Sequence, residues 1–196
     1  MATVPREELT QEYRFLPADC KDCYLNYILT VNHRNTAMVF VRTSETAHML
    51  ALILDKSGIN TYPITSDMRE RRRLAYLRLF KTLIKYGSGA VLICTDDVES
   101  GELDFPSVDM VVNYDIPSNS QNYPHSVGRA AQAGRCGLAI SLANQCEVEN
   151  NIKIEKLIGK GIPEFPFYKE EDLLVLLELS TKTKRLVASA MFDRLN

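Results

Sequence analysis

Several signatures are missing from these 196 residues, and each absence removes a class of function. No apolar run reaches the ~20 residues needed to span a bilayer, and the polar start "MATVPREELT" lacks signal-peptide character. The chain is therefore expected to be neither membrane-bound nor secreted. Surplus charge is missing too. With 23 Lys and Arg against 25 Asp and Glu, the net charge is −2, so any nucleic-acid role must come from a local patch. The five cysteines are an odd number, widely spread. That pattern favours reduced thiols in a cytosolic or nuclear setting over a disulfide framework. Cys20 and Cys23 form a lone C-x-x-C with no second pair at zinc spacing, so two incidental cysteines at a helix start are the simpler reading. No G-x-x-x-x-G-K-[ST] loop is present, and "YGSGA" (residues 86–90) has neither the spacing nor the lysine and reads as a turn. G-x-S-x-G and H-E-x-x-H are absent as well. A stand-alone nucleotide hydrolase or zinc enzyme is not expected.

What remains is ordinary globular composition, 45% hydrophobic and 24% charged, enough to bury a sizeable core. Short apolar runs alternate with longer amphipathic ones. "YRFLP" (13–17) reads as a strand ended by proline, and Asp19 as the N-cap of a helix through "CYLNYILTV". "TAMVFV" (36–41) is a continuous apolar strand, followed by a helix from Ser44 that closes at Gly58. "INTYPI" is the next strand, then comes a basic helix from Met68 to about Tyr86. "AVLIC" (90–94), "VDMVVNY" (108–114) and "GLAISLA" (137–143) are further buried-type strands, and a helix runs from about Glu147 to Ile158. Near-continuous apolar strands separated by helices indicate an α/β fold, an open parallel sheet with helices on both faces. The division is 1–165 for this domain and 166–196 for a C-terminal helical extension, whose acidic start and basic end suit the helix dipole.

Such sheets present ligands at the carboxyl ends of their strands, and four segments lie where that chemistry is built. In "VFVRTSETA", Thr43 and Ser44 open a helix. Their hydroxyls and free N–H groups suit one phosphate, and equally suit simple capping. "TSDMRERRR" (65–73) holds four arginines that cannot share one helical face, so one or two are candidates for phosphate and the others for solvent. "CTDDVESGELDFP" (94–106) is acid-rich without calcium-loop register, which argues against a metal there. In "HSVGRAAQAGR" (125–135), His125 and Arg129 fall four apart on one predicted helical face. Gly128 and the alanines permit close approach, and arginine suits a bidentate phosphate contact.

In order, these segments resemble the second RecA-like domain of DEAD-box ATP-dependent RNA helicases. "MVFVRTSETA" is similar to motif IV, and "TSDMRERRRLAYLRLF" to the H-G-x-M-x-Q-x-x-R stretch. "CTDDVESGELDFPSVDMVVNYDIP" is similar to motif V, and "YPHSVGRAAQAGRCGLAIS" to motif VI. "FLPADCKDCYLNYIL" and "EKLIGKGIPEFP" look closest to members serving ribosomal-RNA processing in the nucleolus. The resemblance implies RNA-backbone contacts by Thr43, Arg73, Thr95 and Asp96, a ribose contact by Asp104, and ATP and catalytic roles for His125, Gly128 and Arg129. It implies a partner domain carrying the Walker loop and the D-E-A-D box. ATP with Mg2+ is expected only when that domain is supplied, with none bound by this chain alone. The other implied partners are single-stranded RNA, read without sequence preference, and ribosome-assembly proteins.

The pattern is also broken. Ser126 and Gln132 stand where motif VI has arginines, Gln132 at the arginine finger. Loss of a finger costs on the order of 10³–10⁵ in rate, about 4–7 kcal/mol. Motif V carries an extra acid in Asp96-Asp97, and "SGELD" replaces S-R-G-L-D, removing an arginine. Whether the chain takes part in catalysis is thus open between two readings. One is a helicase C-terminal domain that is inactive alone. The other is a catalytically degenerate RecA-like domain acting as an RNA- or protein-binding module.

Overall fold

The structure, a computed structural model, describes residues 9–33, 35–99, 103–130 and 137–164, together with Glu178, Thr181, Lys184 and Arg185. Six strands, β1 (Leu9–Phe15), β2 (Thr36–Val41), β3 (Thr61–Ile64), β4 (Ala90–Thr95), β5 (Met110–Asn113) and β6 (Gly137–Ala143), form one sheet. Their order is β1-β6-β5-β2-β4-β3, and every pairing is parallel. The expected α/β sheet with helices on both faces is the observed one. The central strands read as unbroken apolar runs because both faces are covered. Along β2, Ala37, Val39 and Val41 enter one core with α1 (Lys21–Val31) and α2 (Ser44–Lys56). Met38 and Phe40 enter the other core, with α3 (Glu70–Lys85), α5 (Tyr123–Val127) and α6 (Val148–Ile158). Alternate residues point to opposite faces, so a single apolar string supplies both cores.

Local chemistry sets most boundaries. The Thr43 hydroxyl accepts from Thr46 N at 3.2 Å, and α2 is closed by its C-cap Ser57 with Gly58 next at φ +80°, a backbone region that glycine enters without a Cβ penalty. "YGSGA" is a turn as expected, with Gly87 at φ +66° after α3. Asp19 does not cap the first helix. It sits in a short 3-10 turn over Ala18–Cys20, and α1 starts at Lys21 without a side-chain cap, because the proline-led turn satisfies the early N–H groups itself. The extension predicted for 166–196 lies outside the described residues, apart from four helical positions in it. Of these, Lys184 donates to the Asp19 carbonyl at 2.9 Å.

Candidate nucleic-acid interface

Register decides which loops meet. Val41 pairs with Thr95, and Ile64 pairs with Cys94. Residues just past β2, β4 and β3 therefore leave the sheet as one row, with neighbouring strands about 4.8 Å apart. That row brings together Thr43, Thr95 and Asp96 with Thr65 and Ser66. The helices after β2 and β4 begin in opposite cores, α2 in one and α4 (Asp96–Glu99), through Val98, in the other. The row thus lies at a point where connections diverge to opposite faces, the usual ligand crevice of an open α/β sheet.

Three of its side chains carry information. Thr95 is 2% exposed, and its hydroxyl has no hydrogen-bond partner among the described residues. A buried hydroxyl in that state is costly unless a ligand or water completes it. Arg73 reaches back from α3 and donates from Nη1 to the Ser66 carbonyl at 3.3 Å, while its buried Nε has no partner among the described residues. Asp67, one residue beyond Ser66, is held below the usual carboxylate range by the nearby Thr65 and Ser44 hydroxyls and by His48. Thr43 both caps α2 and lies at the crevice, so the two readings of its hydroxyl are compatible.

The row is fixed from behind by groups the sequence did not mark. Lys21 at the start of α1 donates to Glu147 Oε2 at 2.5 Å and to the Tyr114 carbonyl at 2.8 Å. Glu147 Oε1 accepts from Ile116 N at 3.1 Å and from Arg42 Nη2 at 3.3 Å, and Oε2 accepts from Asn144 N at 3.1 Å. Arg42 N donates to Asp115 Oδ2 at 2.8 Å. Lys21 and Glu147 are nearly fully buried. This network ties the carboxyl ends of β2, β5 and β6 together and sets the strand-to-helix bend that carries Thr43. Tyr114 donates to Asp22 Oδ1 at 2.5 Å, and burial together with that carboxylate raises its pKa. An acid at a helix start reads in sequence as a solvated, dipole-compatible residue, so Glu147 gave no signal of burial.

The remaining candidates lie apart from that row. Arg129 places its guanidinium 5.9 Å from the Phe105 ring centroid, close enough to Asp104 for its charge to lower the Asp104 pKa. The larger cause of that shift is Lys81, which donates to Asp104 Oδ2 at 2.7 Å. His125 is exposed on α5. The predicted shared helical face of His125 and Arg129 is corrected: α5 ends at Val127, and Gly128 follows as its C-cap. Arg129 N then bonds to Ser126 O and Ala130 N to Val127 O, three residues back. This tightening turns Arg129 toward Phe105. Ser126 is buried and donates its hydroxyl to the Tyr123 carbonyl at 3.0 Å. Gln132 and Gly101 lie outside the described residues. Among the described residues no group of three or more His, Cys, Asp or Glu is placed to hold a metal, and no helix is long and apolar enough to cross a membrane. Cys20, Cys23, Cys94 and Cys146 are free thiols.

A parallel sheet with a polar row at three carboxyl ends, and Arg129 and Asp104 to one side, is the frame of a helicase motor domain. The family model described as helicase conserved C-terminal domain matches residues 20–134. The chain belongs to that family, as the second RecA-like domain of the DEAD-box type. It is 49% identical to DEAD-box ATP-dependent RNA helicase 10 of Arabidopsis thaliana over 94% of this chain and 39% of that protein. It is 38% identical to the ATP-dependent rRNA helicase RRP3 of Yarrowia lipolytica over 86% of this chain and 34% of that one. The chain thus spans well under half the length of these relatives. Among solved structures, E. coli SrmB bound to the regulator of ribonuclease activity A superposes with a TM-score of 0.71 at 30% identity. That match covers 83% of this chain and 93% of the other. S. cerevisiae Dbp5 bound to RNA and ADP BeF3 gives 0.71 at 26% identity, covering 88% and 46%.

Proposed function

We propose that the chain acts as the RNA-gripping half of an ATP-dependent RNA helicase serving ribosome biogenesis in the nucleolus. The observation that carries this reading is the buried, unpartnered Thr95 hydroxyl in the row with Thr43 and Asp96, with Arg73 alongside. Hydroxyls and N–H groups at strand ends contact phosphates without reading bases, so RNA of any sequence is bound, and the family resemblance makes it single-stranded. RRP3 and helicase 10 are named as ATP-dependent RNA helicases, which supports ATP with Mg2+ as the cofactor once an ATP-binding RecA-like domain faces this one. The residues present fit one side of that nucleotide in part: Asp104 offers an exposed carboxylate to a ribose, and Gly128 and Arg129 offer a close backbone and one cation. When bound, ATP supplies the phosphoryl-transfer free energy, and this chain's part is to hold RNA and position Arg129. Residues 1–165 form the motor domain in this reading, with 166–196 as an extension facing ribosome-assembly proteins.

Binding of fluorescein-labelled oligo-uridine at low and moderate salt tests the reading, with Gly101→Arg as the comparison. The expected result is weak, salt-sensitive binding that tightens several-fold in Gly101→Arg, which restores a cation to the phosphate path. Absence of RNA binding by both proteins sinks it.

A specific observation favours the degenerate module for catalysis. Ser126, in place of an arginine, spends its hydroxyl on its own helix, and Gln132 carries no charge. In this second reading RNA still binds, but adding a separately purified Walker-loop domain elicits no RNA-stimulated ATP hydrolysis.

A further inference from the structure

One flank of α3 exposes apolar side chains beside an outward face that is otherwise polar, and its Tyr76 and Leu83 are half-buried against the core beneath. Arg72, Tyr76, Leu79, Leu83 and Tyr86 follow at spacings of four, three, four and three, which places them in one stripe. Leu79 is 50% exposed and Tyr86 75% exposed. The stripe continues onto the outermost strand, β3, where Tyr62 meets Tyr76 edge-on at 5.7 Å between centroids. Arg72 lies 5.4 Å from the Tyr76 ring centroid and donates to its hydroxyl at 3.0 Å, which fixes the aromatic in place. Arg71 and Arg78 flank the apolar line. Among the described residues, no carboxylate forms an ion pair with Arg71, Arg72 or Arg78. Across the whole of α3 one acid, Glu70, stands against six basic residues.

We propose that this flank docks an acidic amphipathic helix of a partner protein, with leucine-type side chains over the exposed Leu79 and Tyr86 and carboxylates toward the neighbouring arginines. Charge complementarity chooses the sign of the partner, because three arginines without acids on an exposed face are left for an anionic surface to satisfy. The exposed Leu79 and Tyr86 supply the apolar contacts that recognition of an amphipathic helix uses, beside a Tyr62–Tyr76 pair packed against the core. An added strand is disfavoured, since Pro63 removes a ladder donor from the edge of β3. The surface does not involve Thr43, Thr95 or Asp96, so it stands or falls separately from RNA binding.

The test is fluorescence anisotropy with a labelled helical peptide carrying leucines at i, i+3, i+4 and i+7 and glutamates elsewhere, against the full chain and its Leu79→Glu, Tyr86→Glu and Arg78→Glu variants. Both apolar positions are solvent-exposed, so the variants are expected to keep the melting temperature of the parent. Saturable binding in the micromolar range, weakened tenfold or more in each variant while oligo-uridine binding is unchanged, is the expected result. No binding overturns the proposal, as does equal affinity for a glutamate-rich peptide without leucines. It is also overturned if the three variants instead lose oligo-uridine, lose anionic phosphatidylserine vesicles, or abolish a dimer of the chain. Those outcomes assign the stripe to RNA, to lipid or to self-association.

Discussion

Thr95 concentrates the tension between folding and binding. Its hydroxyl is buried at a strand end without a partner among the described residues, and orphaned buried hydroxyls cost about 1–3 kcal/mol. Valine has nearly the same shape without the polar atom. Thr95→Val is therefore expected to raise stability by roughly 1 kcal/mol while weakening oligo-uridine binding several-fold, read by thermal unfolding and anisotropy on the same protein. A loss of stability instead shows that the hydroxyl is satisfied within the fold and has no ligand to wait for. Residue types and order were enough to mark Thr95, Thr43, Asp96 and Arg73 as candidates. Whether each hydroxyl is spent or spare depends on partners that no linear pattern records: Thr43 is engaged as a cap, Ser126 is engaged within α5, and Thr95 is not.

At the scale of elements, the strands were legible because both faces of a covered parallel sheet are apolar, and "TAMVFV" and "GLAISLA" coincide with β2 and β6 to the residue. The short helices were harder. The α4 turn covers four residues, and α5 stops at Val127 although the alanines beyond it have high helix propensity. Close packing intervenes there. A Cβ on Gly137 would lie 1.8 Å from the Ala130 carbonyl oxygen, so the strand entry occupies the path a longer helix would need. The Lys21–Glu147 pair was invisible for a different reason: 126 residues separate its members, and each reads alone as surface charge. Truncating one partner of a buried pair typically costs about 3–5 kcal/mol, since the other charge stays buried. Lys21→Met is expected to lose that much in urea unfolding, and Lys21→Met with Glu147→Leu to recover a large part of it. A single-variant loss below about 1 kcal/mol means that the Arg42 guanidinium and the backbone N–H groups suffice for Glu147.

The molecule as a whole carries a net charge of −2, so long-range attraction does not draw RNA to it and affinity has to be made locally. That constrains the salt dependence. For a single strand, the logarithm of affinity falls with the logarithm of salt by about 0.7 per phosphate neutralised. Arg42 and Arg73 are the cations fixed at the carboxyl ends of the strands, which predicts a slope between roughly −1 and −2 for this chain. Arg73→Ala is expected to flatten the slope by about 0.7 and to weaken all RNA sequences alike, because a phosphate contact carries no base information. Titrations with oligo-uridine and oligo-adenosine at four salt concentrations measure both quantities. A slope near −5, unchanged by Arg73→Ala, places the RNA on the arginine-rich face of α3 instead of at the strand ends, and takes that face away from an acidic partner.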